Sequence, residues 1–118
     1  MTIVGTGTDI CNIDRVEKIL KKRRNVFINR LLTKKEQTDA PLLETSFIAR
    51  RFAAKEAVSK ALGTGIGKAL SFQDFEIIRK GNEAPKVNML NKEYMDITIH
   101  LSISDEKEYA VAFAVAEK

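Results

Sequence analysis

The chain has 118 residues, 44% hydrophobic and 31% charged, which suits one domain with a modest core and excludes a disordered chain. Twenty basic against sixteen acidic residues leave a net charge of +4, which favours an acidic partner but leaves phosphate ligands, nucleic acid and acidic proteins all open. A single cysteine excludes an internal disulfide, the opening MTIVGTGTDI lacks the features of a signal peptide, and no apolar run approaches the ~18 residues of a membrane span, so a cytoplasmic protein without membrane contact is expected.

Residues 3–10 read as a short strand interrupted by Gly5 and Gly7, with Asp9 at its end. Asp14 and Glu17 have the spacing of a capping box, so a helix is expected to begin near Asp14. Val16, Ile19 and Leu20 give it an apolar side, and Arg15, Lys18 and Lys22 a basic stripe. A second short helix holds Phe27, Ile28, Leu31 and Leu32, and Thr33 with Glu36 match the box that opens another helical turn. Pro41 marks a boundary. The longest helical pattern spans 42–62, where Ala53, Ala54, Ala57 and Ala61 favour helix and permit close packing, and Gly63 is placed to end it. Beyond it, 75–79 and 86–89 flank a Gly81-Asn82 turn, the pattern of a hairpin, and 91–95 suggest a short helix. Ile97, Ile99, Leu101 and Ile103 alternate with polar residues, as in a strand with one buried face. In 109–115 large apolar residues alternate with alanines, so both faces are apolar, which fits a central strand or a subunit interface. With no repeat or linker, the pattern is that of a single α+β domain over 1–118.

Within the long helix, Glu56 and Lys60 lie one turn apart and are followed by Gly63, Gly65 and Gly67. A carboxylate and an amine on one face, ahead of a glycine turn that lets a ligand reach backbone, suit a metal and a polyphosphate. Familiar phosphate loops do not fit: a Walker A loop would need glycine at Leu62 and a hydroxyl at Ala69, and G-x-G-x-x-G fails at Ile10. Asp9 and Glu56 are the best carboxylate pair for magnesium, which takes one or two carboxylates and completes its shell with water and substrate phosphates. The plainer alternative is that Glu56 pairs with Lys60 on a solvated surface. Lys18, Lys21, Lys22, Arg23 and Arg24 read either as a solvated face or as a dock for an acidic partner, and no aromatic residue is interleaved to stack on single-stranded nucleic acid. His100, the only histidine, and Cys11 read as structural residues.

Taken together, GTGTDI at 5–10, IDRVEKIL at 13–20, FINRLLTKKE at 27–36, RRFAAKEAVSKALGTGIG at 50–67, LSFQDFEI at 70–77 and the SIS and YAVAFAVAE segments resemble the holo-[acyl-carrier-protein] synthase family of 4′-phosphopantetheinyl transferases. The resemblance covers nearly the whole chain. It implies an α+β fold in which a small antiparallel sheet packs with a long helix, assembled as a homotrimer with active sites between subunits. The implied reaction moves 4′-phosphopantetheine from coenzyme A to a serine of apo-acyl carrier protein, with adenosine 3′,5′-bisphosphate as the other product. By the same resemblance, magnesium sits on Asp9 and Glu56 and bridges to the coenzyme A pyrophosphate, and Lys60 contacts the same phosphates. Asp9, Glu56 and Lys60 are then the implied catalytic set. Arg51, Gly63, Thr64, Gly65, Ser71 and Phe72 are implied to shape the coenzyme A site, and the turn before Pro85 to lie near the adenine. Arg15 and Lys22 match the helix that docks the acidic carrier. Glu56 and a water on the metal both stay open as acceptor of the serine proton.

Two departures from the family pattern stand out. Ser104-Asp105 replaces the Ser-His that many relatives place against a nucleotide phosphate, and Glu83-Ala84 precedes Pro85 where relatives often have glycine. The first motivates an alternative, a relative that binds coenzyme A or carrier without transferring. The basic balance and the cluster from Lys18 to Arg24 motivate another, a small nucleic-acid-binding module.

Overall fold

The computed structural model describes residues 1–40 and 42–118, so the boundary expected at Pro41 lies outside the described residues. In chain order the elements are β1 (Ile3–Asn12), α1 (Ile13–Leu31), α2 (Lys34–Asp39), α3 (Thr45–Ala61), β2 (Phe75–Ile78), β3 (Lys86–Met89), β4 (Thr98–Asp105) and β5 (Tyr109–Glu117). Short 3-10 turns at Phe72–Asp74 and Lys92–Tyr94 precede β2 and β4. The strands form one antiparallel sheet in the order β1-β5-β4-β3-β2, bearing out the α+β expectation.

β5 is the central strand of the long part of the sheet. It pairs with β1 along one edge and β4 along the other. Its alanines at 110, 112, 114 and 116 are fully buried on the side where α3 packs, while Tyr109, Val111 and Phe113 face outward and are exposed. Small residues on one face let the helix lie close to the strand, and large ones on the other leave an uncovered apolar surface. The join between β3 and β4 is much weaker, a single pair of residues, Lys86 and His100.

Two glycines explain how β1 meets α3. The strand is continuous, not interrupted as the glycines suggest, with one register shift between Ile3 and Gly5. A Cβ at Gly7 would fall 2.0 Å from the Ala57 carbonyl oxygen, and one at Gly5 would fall 2.0 Å from that of Ala61. Only glycine lets the strand backbone approach the helix so closely. These glycines serve long-range contact, which local strand propensity does not register.

The helix starts differ from the sequence reading for local reasons. Asn12, not Asp14, caps α1, its side chain accepting from the Asp14 N–H at 2.9 Å. The two short helices expected over this stretch form one element kinked at Arg23, whose φ of −145° and ψ of 51° are non-helical. Thr33 and Glu36 do form the capping box of α2. α3 begins at Thr45, a turn later than the apolar pattern, and Gly63 follows its end with φ +80°. The hairpin of β2 and β3 forms as expected, with Gly81 at φ +56° in its loop.

Buried on α3 is an ion pair that the sequence does not announce. The Lys55 ammonium meets Glu36 Oε1 at 2.7 Å, and both side chains are essentially inaccessible. Glu36 also accepts from the N–H groups of Thr33 and Ile77, each at 2.9 Å, and the Thr33 hydroxyl donates to Glu76 at 2.6 Å. This fully satisfied network ties α2, α3 and β2 together, as a buried charge requires.

Candidate active site

Along β1, residues 5, 7 and 9 share one face, so Asp9 points toward α3 just as the two glycines do. The glycines bring the strand against Ala57 and Ala61, and Asp9 then stands beside the helix face that carries Glu56 and Lys60. Lys60 Nζ lies 3.1 Å from Asp9 Oδ1 and donates to the Thr8 carbonyl at 3.0 Å. Its side chain is 50% exposed, that of Asp9 only 16%. The surface pair between Glu56 and Lys60 is not formed, since Lys60 turns to Asp9 instead.

The Glu56 carboxylate accepts no hydrogen bond among the described residues. Burial pushes its pKa up from the ordinary carboxylate range, and the Asp9 charge adds to the rise, while Lys60 and Arg30 oppose it. Two carboxylates near enough to repel, one short of donors, make a fitting pair for a divalent cation. Among the described residues no cluster of three or more His, Cys, Asp or Glu could hold a metal, so any cation here would need further ligands from water or substrate.

Glu56 lines a cavity of about 250 Å³ together with Arg30, Phe27, Phe52, Ile66 and Phe72. Phe52 sits between the other two rings, 5.9 Å from each by centroid, and the Arg30 guanidinium lies 5.8 Å from the Phe72 ring centre. Arg30 belongs to the FINRLLTKKE run, but only the fold reveals that it faces Glu56. The glycine turn is fastened to α3 through Ser59, whose carbonyl accepts from the N–H groups of Thr64 and Gly65 and whose hydroxyl donates to the Glu56 carbonyl at 2.7 Å. Cβ atoms at Gly63 and Gly65 would meet nothing within 4 Å, so the turn faces open space. Ser71 caps the 3-10 turn that carries Phe72.

Other candidates lie elsewhere in the chain. Arg51 stacks over Phe47 at 4.7 Å and lines a different cavity with Arg79. Burial lowers its pKa to about 10, with Arg50 and Arg79 contributing repulsion against the raising effect of Glu36. Pro85 lines a third cavity, between β3 and β4, beside Lys86 and His100. Arg15 and Lys22 are exposed on α1. In the rest of the basic cluster, Lys18 and Lys21 pair with Asp14 and Glu17, and Arg24 donates to the Leu43 carbonyl. His100 meets Glu117 at 3.0 Å, and buried Cys11 has its thiol pushed up by burial. Asp105, the departure at the end of β4, is met by the Arg50 guanidinium at 3.6 Å.

Comparison with known proteins adds identity to this geometry. The family described as the 4′-phosphopantetheinyl transferase superfamily matches residues 5–114. The chain is 43% identical to the holo-[acyl-carrier-protein] synthase of Zymomonas mobilis, covering 98% of this chain and 96% of that one. Among solved structures, the holo-(acyl-carrier-protein) synthase of Bacillus anthracis in complex with CoA (3′,5′-ADP) is 44% identical with a TM-score of 0.84, covering 98% and 97% of the two chains. The Helicobacter pylori holo-[acyl-carrier-protein] synthase in complex with coenzyme A is 40% identical with a TM-score of 0.86, covering 95% and 99%. With this likeness running along the whole sheet and through α3, the chain belongs to the 4′-phosphopantetheinyl transferase superfamily.

Proposed function

We propose that this chain is a holo-[acyl-carrier-protein] synthase: it transfers 4′-phosphopantetheine from coenzyme A to a serine of apo-acyl carrier protein and releases adenosine 3′,5′-bisphosphate. The observation that carries the reading is the Asp9, Glu56 and Lys60 cluster at the junction of β1 and α3, in a chain that matches this family over nearly its full length. We read residues 1–118 as one such domain.

Asp9 and Glu56 are the residues that would hold magnesium. When bound, the ion supplies positive charge to the phosphate oxygens. Lys60, held by Asp9 and the Thr8 carbonyl but half open to solvent, offers its remaining N–H bond to the same phosphates. Gly63, Thr64 and Gly65 leave room for the ligand to approach backbone, and Ser71 with Phe72 forms the wall beyond. Phosphoryl transfer asks mainly for positioning and charge stabilisation, and this set can supply both. Arg51 and Pro85 line separate cavities in one chain, so on this reading coenzyme A is long enough, or a second subunit close enough, to reach them.

The exposed apolar face of Ile10, Tyr109, Val111 and Phe113 supports the homotrimer, with the active site shared between neighbours. Light scattering should give three times the chain mass. Arg15 and Lys22, exposed on the first half of α1, are proposed to meet the acidic carrier. Arg50 beside Asp105 offsets the charge that motivated a non-transferring relative. No helix among the described residues is long and apolar enough to cross a membrane, in keeping with the cytoplasmic location we propose. The deciding experiment incubates the protein with apo-carrier, coenzyme A and magnesium and follows carrier mass. The phosphopantetheine increment should appear, vanish on chelation and return with added magnesium. An unchanged carrier mass under all three conditions would refute the reading, and salt-dependent RNA binding alongside it would favour the nucleic-acid alternative.

A further inference from the structure

Lys55 precedes Glu56 on α3, and its side chain leaves the helix about 100° away from the site, into the core. Besides Glu36, its Nζ lies within hydrogen-bond distance of the carbonyls of Leu31 (2.9 Å), Phe72 (2.7 Å) and Phe75 (3.0 Å). Three N–H bonds thus serve four acceptors drawn from four segments. A second side chain joins the same segments from outside. The Gln73 amide nitrogen reaches the carbonyls of Asn29, Arg30 and Leu32 at 3.0, 3.1 and 3.0 Å. Between them, Lys55 and Gln73 gather the carbonyls at the end of α1 that the helix itself leaves unpaired.

The joined segments are the last turn of α1 and the 3-10 turn Phe72–Asp74. They carry Arg30 and Phe72, which form one wall of the cavity that Glu56 lines. We propose that Lys55, seconded by Gln73, is a positioning residue for transfer: the clamp fixes the Arg30–Phe72 wall relative to the Glu56 carboxylate, and with it the geometry in which phosphate and acceptor hydroxyl meet. The inference rests on the transferase reading. A buried ion pair can often be replaced by apolar residues without loss of stability. What an apolar pair cannot do is hold three carbonyls from separate segments at one point.

The test uses Lys55→Met/Glu36→Gln, which removes the ammonium together with its counter-charge, and Gln73→Ala, which opens the same joint from the surface. In the magnesium-dependent transfer assay, the double variant should lose roughly ten- to hundredfold in kcat, as expected for a misplacement near 1 Å. Its KM for coenzyme A should rise by clearly less than kcat falls, because Asp9 and Lys60 are held from β1 while only the Phe72 part of the coenzyme A site moves with the wall. Gln73→Ala should lose about three- to tenfold in kcat with a smaller change in KM and an intact cooperative melt. A folded double variant with kcat within about twofold of the parent would overturn the proposal. So would a double variant that fails to fold beside a fully active Gln73→Ala, since Lys55 would then serve stability alone. A parent protein that transfers nothing would instead sink the transferase reading, and this inference with it.

Discussion

Lys55 and Lys60 stand little more than one turn apart on α3, and each meets a carboxylate, yet the two regions they build have opposite characters. Around Lys55 every polar group has its partner inside the fold, and neither it nor Glu36 reaches solvent. Around Lys60 the pairing is looser, at 3.1 Å and half exposed, and the neighbouring Glu56 carboxylate accepts no hydrogen bond among the described residues. A saturated network can hold a structure but has nothing left to offer a ligand. An unsaturated one has capacity to spare, and the fold carries its repulsion until a ligand arrives.

Substitutions in the two regions should have opposite consequences. Lys55→Met alone leaves Glu36 buried and uncompensated and should cost about 3–5 kcal/mol of stability in urea unfolding. A loss under about 1 kcal/mol would mean that the clamp does not hold the fold. Glu56→Gln should do the reverse, lowering transfer by roughly 10²–10³-fold while leaving the melting temperature intact. The sign follows from its raised pKa. Ionised Glu56 costs the metal-free fold stability at neutral pH, and that cost is relieved as pH falls through the raised folded pKa, fully so below the unfolded value. At neutral pH the metal-free Gln variant should therefore melt no lower than the parent. A variant that melts lower yet transfers normally would exchange the roles of the two regions.

Gly7→Ala tests the join between them. The added methyl collides with the Ala57 carbonyl and should cost about 1–3 kcal/mol, and it should also depress transfer by pushing Asp9 off α3. Stability lost without activity lost would show that Asp9 does not depend on that contact. The smallest effect is expected farthest from either region. Lys22→Glu should raise the KM for the carrier by roughly tenfold at low salt, less at high salt, and leave that for coenzyme A unchanged. Equal changes in both constants would argue against docking on α1.

Much of the site was legible before the fold. Glu56 and Lys60 lie on one helix, where spacing translates directly into a shared face, and the glycine turn follows just beyond its end. Asp9 is nominated as the end of the expected strand, but β1 runs on to Asn12 and Asp9 lies within it, and the purpose of the two glycines before it cannot be read locally. Local rules see glycine as an interruption, whereas here it answers a helix about fifty residues away in the chain. Lys55 was invisible for a related reason. Three of its four acceptors are backbone carbonyls, which carry no residue-type signal, and they come together only when α1, the 3-10 turn and β2 have packed. Asn12 does not stand out locally as a cap because strand and helix meet there without a loop. Arg50 opposite Asp105 needed the α3–β4 contact to be known.

The single residue pair joining β3 to β4 has a consequence for how the molecule opens. The β2–β3 hairpin is fastened to the helices through Glu36 to Ile77, Thr33 to Glu76 and Lys55 to Phe75, and its ladder to the long strands is that single pair. Local unfolding should follow that seam, and amide hydrogens of β3 should exchange well before those of β5. Coenzyme A reaching from Lys60 to Pro85 would touch both units, and its binding should slow exchange in the hairpin while leaving the strands around β5 as they were.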